Sequence, residues 1–435
     1  MTLKILPYGI RLTEGRNSRA AVDMRGIATY VPRVVHVPLS DPERTRLVVS
    51  EGDEVYLGSL LAEPLHPHAV GVYASVSGRI TAIGPQETPE GELTCVTVEN
   101  NRRSRPAPGL PRRFRLGGAD IAQSMDSSEI RTLMRDCGAV RMDGYPRPLH
   151  PDFDPATHKR PIEYVLIDAC ESEPYVSCVH AQLRENAIQA VSAARLLARA
   201  AGRAIPVLCL PDDRPASIQA LRIAVEGTDV RISILKSIYP LGGEQTLVRA
   251  ALGTEIPAGG TAGDVGALVV AASTAFALHD AAKAGMPFLR RVVTVGGRIA
   301  DPANVWVPIG TPVGELVAFC GGMLDLSDRL VAGGPITGRE AGTGEMPVTA
   351  STSAVLALPS PVEPETPCIR CGACVRACPE RLLPYQIDDA LLHDQAERLR
   401  SLHPEICTGC GACSYVCPAK RRLAPRIHDA AGGIR

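Results

Sequence analysis

Two cysteine runs near the end of this sequence have the spacing that iron–sulfur chemistry requires. The first reads PCIRCGACVRACPE and the second reads ICTGCGACSYVCPAK. Each follows the pattern C-x-x-C-x-x-C-x-x-x-C-P, which holds a [4Fe–4S] cluster in bacterial ferredoxins. The eight cysteines are Cys368, Cys371, Cys374, Cys378, Cys407, Cys410, Cys413 and Cys417. The sequence therefore predicts two [4Fe–4S] clusters and the transfer of single electrons.

The last cysteine of each run is expected to serve the other run. In two-cluster ferredoxins it ligates the other cluster, so we expect Cys417 to join the first run and Cys378 to join the second. Gly372, Gly409 and Gly411 allow tight turns and leave backbone N–H groups that can point at sulfur. A zinc site and a disulfide framework are the alternatives. Because a zinc site takes only four ligands, the doubled pattern of eight cysteines favours clusters.

Length and composition set the frame for these runs. A chain of 435 residues is too long for one core and predicts about three domains. The net charge of −1 argues against nucleic acid as a partner. The first residues lack the apolar run of a signal peptide, and no uncharged apolar stretch is long enough to span a bilayer. Together with cluster ligation, this predicts a soluble, cytoplasmic protein without direct membrane insertion.

Short strands and turns are predicted from about residue 30 to residue 100. The pattern resembles the barrel-sandwich hybrid of lipoyl and biotinyl carriers. Those carriers modify a lysine at a hairpin tip, whereas the matching tip here reads Ser75, Val76 and Ser77. A structural role is therefore expected for this domain. The basic, proline-rich segment 101–120 predicts a solvated linker, with a docking patch as the alternative.

Strands and helices alternate from about residue 125 to residue 285. YVLIDAC and IPVLCLP read as buried strands, and residues 181–202 read as one amphipathic helix that ends at Gly202. This alternation predicts an α/β sheet with helical crossovers. Between the cysteine runs, residues 385–403 also read as one helix.

From about residue 25 onward, the chain resembles the RnfC-like family, whose members include the cluster subunit of the Rnf membrane complex. The segments that carry the resemblance are DACESEPYVSCVHAQLRE, YPLGGEQTLVRAALGTEIPAGG, RIADPANVWVPIGTPVGELVAFCGG and the two cysteine runs. The resemblance implies a multidomain α/β fold. Its expected parts are a barrel-sandwich hybrid at 25–100, a Rossmann-like domain similar to the complex I flavin subunit at 120–286, a ubiquitin-like SLBB module at 287–345 and a two-cluster ferredoxin domain at 360–430.

The resemblance also implies FMN and NAD(H) as cofactors of the α/β domain. The residues that would contact them are Gly138, Gly144, Glu171, Glu173, Gly242, Gly243 and Glu244. In the complex I flavin subunit, a glycine-rich loop lets the backbone approach the flavin phosphate.

Several departures from the family pattern argue against FMN binding in this mode. The loop segment reads CGAVRMDGYPRPLH, in which Arg141, Met142 and Asp143 occupy the space of glycines. Asp168 and Ala271 stand where the family usually has asparagine.

Two further cysteines fall near the expected flavin position. Cys137 and Cys170 would either form a redox-active thiol pair in place of the flavin or fill the emptied pocket as small buried residues. The second interpretation is favoured.

Together these features predict an RnfC-like iron–sulfur electron-transfer subunit. It would pass single electrons to or from a partner reductase or another subunit of a redox complex, with ferredoxin, flavodoxin or NADH as donor. One alternative is an FMN-containing NADH dehydrogenase module that feeds the clusters. Another is a docking adaptor with a degenerate nucleotide site.

Overall fold

The fold is described by a computed structural model, which covers residues 8–12, 22, 25–39, 41, 43–108, 121–142, 144, 146–360 and 363–434. Asp143, Tyr145 and residues 109–120 of the basic linker lie outside these described residues. Within the described ranges, we find no helix with the length and apolar character needed to cross a membrane.

Two small antiparallel sheets form the first unit of the fold. One has the strand order β2-β8-β7-β4 and the other β3-β5-β6. The strands are β2 Val34–Pro38, β3 Thr45–Leu47, β4 Glu54–Val55, β5 Leu60–Pro64, β6 Val72–Tyr73, β7 Gly78–Thr88 and β8 Gly91–Asn100. Alternate side chains of β2 point inward to a core with Val35, Leu61 and Val98. The hairpin tip is pinned, because the buried Ser75 hydroxyl donates to the Ile309 carbonyl at 2.5 Å.

A parallel four-stranded sheet in the order β11-β10-β9-β12 forms the second unit. Its strands are β9 Tyr164–Asp168, β10 Ile205–Pro211, β11 Arg231–Leu235 and β12 Ala267–Ala271. Successive residues of β9 enter separate cores on the two faces, Ile167 on one side and Leu166 on the other. The strand order reverses beside β9, and in such sheets ligands bind at the carboxyl ends next to this reversal. Asp168 ends β9 there, opposite Ala271.

Helices cover both faces of this sheet. They are α1 Ile121–Ser124, α2 Ser127–Asp136, α3 Cys178–Glu185, α4 Ala187–Ala200, α5 Pro215–Ala224, α6 Glu244–Leu252 and α7 Ala272–Ala284, with 3₁₀ turns at His150–Phe153, Pro155–Thr157 and Ala262–Val265. The prediction of one helix over residues 181–202 was wrong. Asn186 leaves helical geometry with φ −132°, and the preceding Glu185 turns its carboxylate to the Ile27 N–H at 3.1 Å.

The third unit is a six-stranded sheet in the order β1-β14-β13-β17-β15-β16. Its elements are β1 Ala28–Thr29, β13 Arg290–Gly297, β14 Ala303–Pro308, α8 Val313–Phe319, β15 Arg329–Ala332, β16 Arg339–Glu340 and β17 Ala354–Leu358. Strand β1 comes from the expected barrel-sandwich segment. Strand β17 pairs with both β13 and β15, so the sheet extends beyond residue 345.

Short helices surround the cysteine runs in the fourth unit. They are α9 Ala373–Ala377, α10 Pro384–Leu392, α11 Ala396–Ser401, α12 Ala412–Tyr415 and α13 Leu423–Ile434, with a 3₁₀ turn at Pro404–Ile406. The prediction of one helix over residues 385–403 was also wrong, because Asp394 adopts φ +52° between α10 and α11. Asp388 is buried and pairs with Arg421 and with Arg426, which ties α10 to α13.

Candidate metal centre

The cysteines of the two runs form two groups of four. The first group lines one small cavity and consists of Cys368, Cys371, Cys374 and Cys417. The second consists of Cys378, Cys407, Cys410 and Cys413, whose thiols lie close enough to interact electrostatically. Each group therefore combines three cysteines of one run with the last cysteine of the other, as the spacing predicts.

The donor set of each group fits an iron–sulfur cluster, because four thiolates are its usual ligands. Burial raises the pKa of Cys378 to about 11, so this thiol keeps its proton near neutral pH unless a metal replaces it. None of the fourteen cysteines, all of which lie in the described ranges, forms a disulfide bond. Across the described ranges, no three His, Cys, Asp or Glu side chains converge closely enough to hold a single metal ion.

Both runs begin with the same backbone turn. The Arg370 N–H donates to the Cys368 sulfur and the Gly409 N–H donates to the Cys407 sulfur, each at 3.4 Å. The two donors have φ of +54° and +70°, a region that glycine adopts freely and arginine only with strain. N–H groups aimed at sulfur stabilise the charge of a ligating thiolate.

The two groups differ in exposure. Cys368 and Cys371 are exposed, whereas Cys378 and Cys413 are buried. The second group is covered by the α/β sheet unit, where the Tyr239 hydroxyl donates to the Cys410 carbonyl.

Loops of the second and third units complete this cover. Gly411 packs so closely on Ile336 that a Cβ atom at residue 411 would collide with it. Glu173 accepts the Ile336 N–H at 2.8 Å and the Thr337 hydroxyl, and burial raises the pKa of Glu173. Arg249 donates to the Pro379 carbonyl at 3.0 Å.

Sequence reasoning did not single out Tyr239 or Arg249. Both residues belong to the YPLGGEQTLVRA segment, which supported the resemblance but did not assign a contact to either of them.

The carboxyl edge of the parallel sheet is occupied by the chain itself. The Asp168 carboxylate accepts the Gly243 N–H at 2.9 Å and the Cys170 N–H at 3.0 Å. Gly243 caps α6, so Asp168 takes a donor at a helix N-terminus, a position that favours anions. Gly242 has φ +120°, and a Cβ atom there would lie 2.9 Å from the Asp168 carboxylate.

The degenerate loop also packs inward. Gly138 has φ +68° and approaches the Gly71 carbonyl and the Tyr73 ring. Met142 is buried, and its N–H donates to the Thr274 hydroxyl at 3.0 Å in the first turn of α7. Gly144 is exposed, with no atom within 4 Å of a Cβ built there.

The retained acidic residues bind backbone groups. Glu171 accepts the N–H groups of Val179 and His180, both at 2.7 Å, and so caps α3. Glu244 accepts the Ala262 N–H at 2.5 Å. Because the Asp168 carboxylate takes the N–H donor at the N-terminus of α6, the residues present do not fit a flavin phosphate in the mode that the resemblance implies.

Cys137 and Cys170 do not form a pair. Cys137 lies in the core that contains Ile167, and Cys170 lies in the core on the other face with Leu166. Burial raises the pKa of both thiols. This placement favours packing over a redox-active thiol pair.

Comparison with known families gives one match for each unit. The matching family models are the RnfC barrel sandwich hybrid domain at residues 6–103, the Nuo51 FMN-binding domain at 134–280, the SLBB domain at 292–340 and the 4Fe-4S dicluster domain at 367–420.

Several curated proteins match over most of their length, as two examples show. A subunit of a proton-translocating ferredoxin:NAD(+) oxidoreductase complex from Clostridium ljungdahlii is 30% identical, over 82% of this chain and 78% of its own. A subunit of an ion-translocating oxidoreductase complex from Rhodobacter capsulatus is 31% identical, over 82% of this chain and 70% of its own.

Among solved structures, an NAD+-reducing [NiFe]-hydrogenase in the H2-reduced state matches in fold. The TM-score is 0.52 at 15% identity, and the match covers 75% of this chain. It spans 65% of the hydrogenase chain, less than two thirds of its length.

Proposed function

Because the chain belongs to the RnfC-like family, in which the matched relatives are subunits of ion-translocating oxidoreductase complexes, we propose that it is an iron–sulfur electron-transfer subunit of a redox complex. The crossed grouping of the eight cysteines carries the proposal. Clusters bound there would accept and donate one electron at a time. The partner would be a reductase or another subunit of such a complex, with ferredoxin, flavodoxin or NADH as the electron donor.

The four units have separate parts in this proposal. The fourth unit holds the ligands, and the second and third units support the second cysteine group through Tyr239, Arg249 and Ile336. The first unit is structural, since its hairpin tip is pinned through Ser75. An FMN-containing NADH dehydrogenase module is the alternative, favoured by the match to the Nuo51 FMN-binding domain and opposed by the position of Asp168.

Iron and acid-labile sulfide analysis of anaerobically purified protein tests the proposal. We expect about eight irons and eight sulfides per chain. Cys417→Ser should lose about half of the iron because it removes one ligand of the first group. Cys320→Ser is the matched control, since Cys320 is buried in the core of the third unit and should leave the iron content unchanged. Zinc in place of iron, or about four irons in the unaltered protein, would refute the two-cluster proposal.

A further inference from the structure

We propose that the exposed surface around the first cysteine group is a docking site for a small acidic electron-carrier protein. This inference rests on the proposed function, because it needs a redox centre in that group. The surface, here called the first-group face, consists of Cys368, Ile369, Arg370, Cys371, Arg376 and Pro418, all of them exposed.

Accessibility assigns the docking role to the first group. The second group lies against Tyr239 and Ile336 of the neighbouring units, whereas Cys368 and Cys371 face solvent. An external carrier must bring its own redox centre close to the one that it serves. Of the two groups, the first alone has exposed cysteines and so offers the closer approach.

Charge indicates the kind of carrier. Among the described residues, neither Arg370 nor Arg376 forms a salt bridge, and Arg376 is held over the loop by donating to the Cys371 carbonyl at 3.3 Å. Nearby carboxylates are already paired, Asp389 with Arg398 at 2.8 Å for example. The face therefore presents two arginines without a salt bridge to any described residue beside the exposed cysteines, and Arg370 also interacts electrostatically with Asp389. This positive charge is complementary to an acidic surface.

Backbone strain at Arg370 is an independent observation. Arg370 holds φ +54° at the position where the second run has Gly409 with φ +70°. A left-handed arginine costs on the order of 1 kcal/mol relative to glycine. Strain of this kind clusters at functional sites. The second run, which has no exposed cysteine, has glycine at this turn, and the first run has a cation there.

The centre of the face is apolar. Ile369 is 68% exposed between the first two cysteines, and Pro418 lies beside it on the same cavity. An apolar centre with a charged rim suits a small, transient redox contact. In each encounter one protein loses one electron and the other gains it, with no bond or proton exchanged.

Binding of an oxidised acidic ferredoxin to the cluster-loaded protein, measured by titration calorimetry at low salt, tests the inference. Arg370→Glu and Arg376→Glu should each weaken binding on the order of tenfold, and the loss should shrink at high salt as charges are screened. Arg370→Gly should weaken binding less, since it removes one charge without adding the opposite one. Arg222→Glu is the matched control, an exposed arginine on α5 that should change nothing.

Unchanged ferredoxin binding in Arg370→Glu and Arg376→Glu would overturn the inference, and so would equally tight binding of basic cytochrome c. Sedimentation that shows a dimer lost in the same variants would also overturn it, because a second copy of this chain would then be the occupant. Iron content is measured on every sample. If ferredoxin binding fails the test while eight irons are present, the docking face alone is refuted. Absence of iron refutes the proposed function.

Discussion

The carboxylate of Asp168 accepts two backbone N–H groups, those of Cys170 and Gly243. A phosphate at this helix N-terminus would have to displace the carboxylate and would meet a like charge. Two unit charges 4 Å apart repel by roughly 1 to 4 kcal/mol between bulk water and a protein surface. This single side chain therefore opposes flavin phosphate more directly than the missing glycines do.

Flavin content checks this argument. We expect heat-released flavin far below one per chain, and no saturable FMN binding at micromolar concentration by fluorescence quenching. Asp168→Asn should tighten FMN binding at least tenfold, because it removes the repulsion. Asp212→Asn is the control, since that carboxylate pairs with Lys236 at the end of the neighbouring strand. About one FMN per chain in the unaltered protein would contradict the argument.

Residue types alone could predict the cysteine groups but not the role of Asp168. The two-residue gaps and the crossed fourth ligand are local rules that spacing expresses directly. The partner of Asp168 is the N–H of Gly243, 75 residues away. The sequence has an aspartate where the family usually has asparagine. Only the tertiary structure shows that its carboxylate accepts the N–H group at the N-terminus of α6.

Among the elements, the loop before α6 joins the α/β sheet to the cysteine unit. Tyr239 is buried, and its hydroxyl reaches the Cys410 carbonyl. Arg249 of α6 reaches the Pro379 carbonyl, just after the fourth cysteine of the first run. The second cysteine group is thus held by contacts from outside its own unit.

Tyr239→Phe tests this support. The variant leaves the Cys410 carbonyl without its donor and should lower the free energy of unfolding by about 1 kcal/mol. We also expect faster iron release to a chelator, because the loop that carries Cys410 is loosened. Tyr73→Phe is the matched control, since it removes a hydroxyl bond to the Asp136 carbonyl, which is outside the cysteine unit. Tyr73→Phe should lower the free energy of unfolding by a similar amount without changing the rate of iron release. Equal rates of iron release in the two variants would refute the supporting role of Tyr239.

Apolar runs in the sequence predicted where the strands lie, but the sequence pattern did not predict where the helices end. Both long predicted helices are broken, at Asn186 and at Asp394. Asparagine and aspartate tolerate non-helical backbone conformations at little cost. Tertiary contacts decide whether these residues adopt such a conformation. At the break before α4, the Glu185 carboxylate next to Asn186 binds the Ile27 N–H.

At the scale of the whole molecule, histidines lie where the first unit meets the others. His36 contacts Thr97 at 3.0 Å and lies 3.9 Å from Glu345. His150 binds the Pro67 carbonyl at 2.8 Å. Burial lowers the pKa of both histidines below the usual 6.5, and for His36 burial outweighs the opposing effect of Glu345.

The lowered pKa of these histidines predicts that the first unit loses stability in acid. When the folded pKa is depressed, the unfolded chain binds more protons below about pH 6.5, so stability falls as the pH drops from that value toward the folded pKa. His36→Gln should flatten the decline between pH 7.5 and 5.5 in denaturant unfolding. His66→Gln, at an exposed position, should leave the decline unchanged. A steeper decline in His36→Gln would contradict the assignment.

Strand β1 has a consequence for how this protein can be divided. Ala28 pairs with Val305, so a segment that precedes the first unit forms the outer strand of a sheet built almost entirely from residues beyond 290. A fragment cut near residue 30 would leave the backbone of β14 uncovered as an open sheet edge. Open edges recruit strands from other molecules. Truncated versions of this chain should therefore tend to aggregate through β14, even when the cysteine unit itself is intact.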